Sequence, residues 1–346
     1  MSHINQLYYG DNYNILKEHI EDESIDLIYL DPPFNSNVNY NVFFNTASEQ
    51  GSIAQTEAFQ DTWNWTEEAE LAYKLVFEQQ NTALAELLRT LRSYLGESDM
   101  MAYLVMMAVR LVELHRVLKS TGSIYLHCDS TASHYLKILM DAVFGPENYR
   151  NEVIWKRTSS HSDGKRYGRV HDVIFFYSKS DSYTWNTQYE PYSDHYIDNY
   201  YNKQDEDGRR FMSGDLSAAG LTGGGYEYEW NGHTKVWRLP KSSMQDLEEK
   251  GYIYYTKNGI ARRKRYLDES KGLACSDTWT DIEALRSWHK ERLGYPTQKP
   301  LALLERLISA SSNEGDVVLD PFCGCGTALH AAEKLNRNWL GIDITH

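Results

Sequence analysis

The apolar run Ile25-Asp26-Leu27-Ile28-Tyr29-Leu30 ends in Asp31-Pro32-Pro33-Phe34. The two prolines fix φ and remove two backbone N–H donors, so the turn is stiff and rich in hydrogen-bond acceptors. The Asp31 carboxylate and the Pro32 carbonyl can then both accept from one exocyclic amino group, while Phe34 offers a flat face for a ring to stack on. These parts suit holding a nucleobase by its NH2 group. A proline-capped strand end is the plain structural alternative, and the tetrapeptide alone does not separate the two.

A second pattern carries more. Asp316-Val317-Val318-Leu319-Asp320-Pro321-Phe322-Cys323-Gly324-Cys325-Gly326-Thr327 reads as a short buried strand running into a glycine turn, with a helix from Ala328 to Leu335 after it. Gly324 and Gly326 allow a tight turn and a close ligand approach, as in nucleoside-binding strand-turn-helix units. Trp339-Leu340-Gly341-Ile342-Asp343 follows as a second strand ending in an acid, where a Rossmann-like site bonds ribose hydroxyls. A glycine turn by itself is weak evidence; strand, turn, helix, strand and acid in register are much stronger.

Together these residues resemble the S-adenosylmethionine-dependent amino-methyltransferases that act on DNA. Asp31-Pro32-Pro33-Phe34 is similar to their catalytic motif, and Asp320 to Thr327 to their cofactor loop. Tyr295-Pro296-Thr297-Gln298-Lys299-Pro300 resembles the family's segment just before that loop, where His more often stands first. Gly10-Asp11 resembles the short motif whose acid meets the cofactor adenine. Catalytic motif first and cofactor loop last is the permuted order of the β class. The resemblance covers nearly the whole chain and is weakest from Thr184 to Arg286.

The resemblance implies a Rossmann-like α/β fold: a mostly parallel sheet with helices on both faces. Residues 1–180 would form the catalytic part and 291–346 the cofactor-binding part, with a target-recognition region inserted at 181–290. Asp31, Pro32, Pro33 and Phe34 would be catalytic. Asp11 would meet the adenine amino group and Asp343 the ribose hydroxyls. Asp320 would also belong to the cofactor site, and Phe322, Gly324, Gly326 and Thr327 would wrap the methionine portion, with Thr297 and Lys299 at its carboxylate; a lysine before Pro300 could also simply cap a helix start. The cofactor implied is S-adenosylmethionine and the substrate double-stranded DNA, with a homodimer and a restriction endonuclease as partners. Asp at the first motif position leans to adenine N6, with cytosine N4 the alternative. A methyltransferase acting on RNA or protein, or a non-catalytic nucleic-acid-binding relative, ranks lower, since a silent relative would be expected to lose Asp31 or the glycines. The family also leads one to expect another helix after Asp343, where this sequence stops at His346.

The formal net charge of −14 argues against nucleic-acid binding if taken globally, but its distribution matters more. Lys156, Arg157, Lys165 and Arg166 fall in one basic, loop-like segment, and Arg262, Arg263, Lys264 and Arg265 in another. Acids gather instead at Glu18 to Glu23, Glu67 to Glu70 and Tyr189 to Asp207. The two basic segments are therefore expected to bind DNA; a solvated charge run is the plainer reading of each. Cys128, Cys275, Cys323 and Cys325 form no disulfide framework and lack metal-ligand spacing, so the loop pair reads as small residues in a crowded turn. No signal-peptide pattern opens the chain, and Met100 to Val109 is too short to span a bilayer, so a soluble cytoplasmic protein is expected.

To position these groups, Ile4–Tyr9, Ile25–Leu30, Gly122–His127, Glu152–Trp155 and Asp172–Tyr177 read as strands. Asn14–His19, Glu68–Leu95, Ser98–Lys119 and His134–Phe144 read as helices. The alternation predicts a parallel α/β sheet. Residues 35–66 lack a period and read as a mobile active-site loop.

Overall fold

The computed structural model describes residues 5–33, 39–42, 56–60, 64–78, 81–159, 164–218, 224–295 and 297–344, with backbone alone at 39–42 and 56–60. The first elements are β1 (Gln6–Tyr9), α1 (Asn12–His19), β2 (Ile25–Leu30), β3 (Asn39–Val42) and β4 (Thr56–Gln60). Next come α2 (Glu67–Glu78), α3 (Thr82–Leu95), α4 (Asp99–Val117), β5 (Leu118–Cys128), α5 (Ser133–Phe144), β6 (Tyr149–Lys156) and β7 (His171–Ser178). An insertion carries β8 (Tyr189–Glu190), α6 (Asp194–Tyr200), β9 (Lys203–Gln204), β10 (Arg210–Asp215), β11 (Tyr226–Trp230) and β12 (His233–Trp237). It continues with α7 (Lys241–Glu249), β13 (Ile253–Tyr255), β14 (Ala261–Tyr266) and β15 (Leu273–Ala274). The remaining elements are β16 (Thr278–Trp279), α8 (Leu301–Ser311), β17 (Val317–Asp320), α9 (Thr327–Lys334) and β18 (Asn338–Asp343).

One unit, residues 1–188 with 276–346, is built on an eight-stranded sheet in the order β1-β18-β17-β2-β5-β7-β6-β16. Neighbouring strands from β1 to β5 pair in parallel, and so do β6 and β16. β7 runs antiparallel to both β5 and β6, so the sheet is mixed but mostly parallel, as expected. The reason is local: β6 and β7 are joined directly, without a crossover helix, and a direct return permits only antiparallel pairing.

β2 explains its own composition. Ile28 and Leu30 join the core that contains Leu16, Leu84, Leu104, Leu111 and Leu136 of α1, α3, α4 and α5. Leu27 and Tyr29 face the other way, into the core of Leu304, Leu307, Ile308 and Ala331 from α8 and α9. A strand covered on both faces must be apolar almost throughout. At its start, Asp26 accepts from Lys119 Nζ at 2.7 Å and from Val317 N at 2.9 Å, fastening β5 and β17 to it.

Three expectations change. The helical stretch 68–95 is two helices: the Asn81 side chain accepts from Leu84 N at 2.9 Å and caps α3 as a separate element. α4 stops at Val117, because Leu118 already pairs with Ile25 in the sheet. The stretch 35–66, expected to be a loop, contains the antiparallel β3–β4 ladder; the rest of it up to residue 63, together with Phe34, lies outside the described residues. The apolar run 100–109 is core, and among the described residues no helix is long and apolar enough to cross a membrane.

The second unit, residues 189–275, holds a four-stranded sheet β13-β14-β10-β9 and the hairpin β11–β12. Leu216, Trp230, Trp237, Met244, Ile253 and Ala261 form its own core. Of the segment expected to recognise the target, residues 181–188 and 276–290 belong to the first unit.

In the main sheet, the chain leaves β17 through α9 on one face and returns at β18. It leaves β2 through α2 to α4 on the other face and returns at β5 on the opposite side. β17 and β2 are neighbours whose connections depart in opposite directions, which opens a crevice outside their carboxyl ends.

Candidate active site

Asp31 follows β2 and Asp320 ends β17, so both acids stand at that crevice. Asp31 Oδ2 is ion-paired with Lys299 Nζ; the two side chains are 14% and 12% exposed. Lys299 also donates to the Thr297 carbonyl at 3.3 Å. Asp31 Oδ1 is buried and, among the described residues, has no hydrogen-bond partner. A buried carboxylate oxygen without a donor is costly, so this atom is an acceptor in want of an N–H. Pro32 is buried and Pro33 half-buried behind it.

Asp320 is 3% exposed and accepts from Phe322 N at 3.0 Å. Burial, and then the nearby charges of Asp31 and Asp343, push its carboxyl well above the usual range, with Lys299 opposing. Asp343 ends β18, and its Oδ2 accepts from Gly324 N at 2.7 Å, tying the acid to the glycine turn. Gly324 has φ 50°, which favours glycine, and a Cβ there would lie 3.0 Å from the Tyr295 ring, so the phenol would have to give by a few tenths of an ångström. Gly326, at φ 80°, caps α9, whose first residue is Thr327. Phe322 packs against the core on the α4 side. We expect Gly324→Ala to cost about 1–3 kcal/mol of stability, the scale of a non-glycine residue held at positive φ. Thermal melts check this; an unchanged midpoint would mean that the turn and Tyr295 shift freely.

Asp11 caps α1, with Oδ1 accepting from Asn14 N at 3.2 Å and Oδ2 from Arg110 Nη2 at 2.6 Å. Beside it, Asn12 donates to the Pro321 carbonyl at 2.8 Å and accepts from Arg110. Asn12, and not Asp11 itself, thus ties the start of α1 to the turn after β17. Arg110 was not singled out from sequence, although an arginine directly after the apolar run Met101 to Val109 was a signal that an acid would meet it.

A buried polar row behind Asp31 was likewise not read from sequence. Tyr29 Oη lies 2.9 Å from His127 Nδ1, and His127 Nε2 lies 3.2 Å from Asp172 Oδ2. Burial alone would raise Asp172, but the bond and charge of His127, with Arg157, hold it below the usual range. The ionised carboxylate accepts only, so His127 Nε2 is the donor of that pair. Burial, with Asp31 next, keeps the Tyr29 phenol far from ionising. A His and an Asp at the ends of apolar strands were the available clue.

The basic residues divide. Arg157 Nε stands 3.2 Å from Asp172, at ion-pair distance without hydrogen-bond alignment. Lys156, Lys165 and Arg166 are exposed, with residues 160–163 between them outside the described set. On β14 of the second unit, Arg263 and Arg265 are exposed while Arg262 and Lys264 alternate with them and are half-buried. Lys264 is committed to Asp205 at 2.8 Å.

The chain is 35% identical over 250 residues to the Type II methyltransferase M.EcaI of Enterobacter cloacae, covering 70% of this chain and 54% of that protein. It is 30% identical over 351 residues to the Type III restriction-modification enzyme StyLTI Mod subunit of Salmonella typhimurium, covering 95% of this chain and 49% of that one. The chain thus spans about half the length of these relatives. A family model described as DNA methylase, of the N6/N4 methyltransferase type, matches residues 25–346. With the acid-proline-proline turn and the glycine loop meeting at one crevice, the chain belongs to the N6/N4 family of DNA methylases.

Proposed function

We propose that this chain transfers a methyl group from S-adenosylmethionine to the N6 amino group of adenine in duplex DNA. The observation that carries the reading is the unpartnered, buried Asp31 Oδ1 at the sheet's switch point, with Lys299 occupying the other oxygen. The lone pair of an exocyclic amino group is delocalised into its ring, so the nitrogen is a poor nucleophile. Asp31 Oδ1 and the Pro32 carbonyl, each accepting one N–H, would favour the pyramidal form that attacks. Lys299 orients the carboxylate, and positioning carries most of the rate.

The cofactor fits the residues present: the turn at Gly324 and Gly326 holds positive φ without side chains, and Asp343 offers a carboxylate beside it. Asp343 would hold the ribose hydroxyls, Asp11 the adenine edge, and Phe322, Gly324, Gly326 and Thr327 the methionine portion, with Thr297 and Lys299 at its carboxylate. Asp320 would add negative charge beneath it. S-adenosylmethionine supplies, when bound, a methyl on a sulfonium that needs no further activation. The target base must leave the helix, at about a few kcal/mol, and Phe34, outside the described residues, is assigned to stack on it.

An ionised carboxylate is a stronger acceptor than a hydroxyl, which suits the less reactive adenine amino group. Cytosine N4 is the alternative. We extend the reading, from the family resemblance, to a homodimer working beside a restriction endonuclease, and to DNA contacts by Lys156, Arg157, Lys165 and Arg166 and by the Arg262–Arg265 strand. Mass spectrometry of nucleosides from treated duplex DNA tests the assignment. N6-methyladenine is expected; N4-methylcytosine alone would move the chain to the alternative, and neither product would end the proposal.

A further inference from the structure

Between β16 and Tyr295 the first unit carries a short double turn that nothing above uses. His289 N donates to the Arg286 carbonyl at 3.0 Å and Arg292 N to the His289 carbonyl at 3.2 Å, giving two turns in succession. Gln298 clips them in place: its Oε1 accepts from Leu293 N at 2.7 Å, and its Nε2 donates to the Glu291 carbonyl at 2.8 Å. The backbone is therefore fixed from within the chain, yet Trp288 and Leu293 are each 71% exposed.

The chemistry of the exposed side is unusual for this chain. Arg286, Lys290 and Arg292 stand against Glu291 alone in the segment, in a protein of net charge −14. Among the described residues neither Lys290 nor Arg292 has an ion-pair partner. The Arg286 guanidinium lies 5.5 Å from the Trp288 ring centroid, and His289 meets that ring edge-on at 5.9 Å. An indole left in water among cations matches a polyanion that also presents π-faces, which is the chemistry of nucleic acid. Gln298 adjoins Lys299, the partner of Asp31, and Tyr295 of the same segment lies on Gly324. The double turn is thus hitched to the candidate active site.

Resting on the function proposed above, we infer that the double turn Arg286–Leu293 is a contact of the methyltransferase body with duplex DNA. Lys290 and Arg292 meet phosphates, and Trp288 stacks on a base face exposed when the target leaves the helix. The variants Lys290→Glu with Arg292→Glu, Trp288→Ala and Trp288→Phe test it, read by duplex affinity over a salt series and by cofactor affinity. The double reversal is expected to flatten the slope of log K against log salt by about 0.9 per lost phosphate contact. Trp288→Ala should weaken duplex binding by about 5- to 150-fold, the range of one base–aromatic stack, and Trp288→Phe should recover most of it.

Cofactor affinity should stay at the wild-type value in all three. Wild-type affinity and slope in the variants, while the parent protein methylates DNA, would overturn the contact and leave the function standing. A parallel loss of cofactor affinity would make the turn a support of the fold and also overturn it. A parent protein that neither binds nor methylates DNA would remove both readings.

Discussion

Asp31→Ala is expected to lower methyl transfer by about a thousandfold, the upper end of the cost of losing one preorganised hydrogen-bonding group. Cofactor affinity should stay near wild type, because Asp31 is assigned to the base. The substitution also leaves Lys299, 12% exposed, without its carboxylate. Breaking a buried ion pair by removing one partner costs about 3–5 kcal/mol, so this variant will melt earlier for a reason separate from chemistry. Lys299→Met in the same chain removes the stranded charge and should restore part of the stability. Activity should not return with it. Rates measured well below each midpoint separate the two effects. Near-normal turnover in either variant would sink the role given to Asp31 Oδ1.

The division between what could and could not be read from the sequence follows the range of the interactions. β2, β17 and β18 announce themselves because strands covered on both faces are nearly all apolar, and the acids at their ends stand out against that run. The turn at Gly324 and Gly326 was legible because its φ values demand glycine. Gly341 was not, although a Cβ there would lie 2.5 Å from Leu329 and 3.2 Å from Cys323 Sγ: its need arises from α9 packing on β18, a contact that no local pattern encodes. The same holds for the Asp31–Lys299 pair, which joins residues at opposite ends of the chain. Sequence reading gave Lys299 to the cofactor and left Asp31 alone. Only the folded chain, setting the segment before α8 at the end of β2, brings them together. Arg110 and the Tyr29–His127–Asp172 row are further cases of polar groups whose partners lie on distant elements.

Asp320→Asn should stabilise the cofactor-free protein while weakening cofactor binding, and the stabilisation should depend on pH. Burial, then Asp31 and Asp343, raise the folded-state pKa of Asp320, whereas the unfolded chain keeps a value of about 3.9. Below the unfolded value both states carry the proton and Asp320 imposes no penalty. As pH rises towards the folded value, the unfolded state ionises freely while the folded one does not. The fold then loses about 1.4 kcal/mol per pH unit across that window, the free energy of one proton. Asparagine cannot ionise, and its side-chain oxygen can still accept from Phe322 N. The midpoint of Asp320→Asn should therefore exceed that of the parent by more at pH 8 than at pH 5.5. A difference that is constant with pH would show that Asp320 titrates in the folded protein as it does in the unfolded chain. The opposite change is expected in cofactor titrations at pH 8, because a bound sulfonium and ammonium would favour the ionised Asp320 carboxylate, and asparagine has no carboxylate to offer them. A crevice that binds a cation gains from crowding carboxylates that the empty fold pays to keep together, so stability and affinity should move in opposite directions at this one residue.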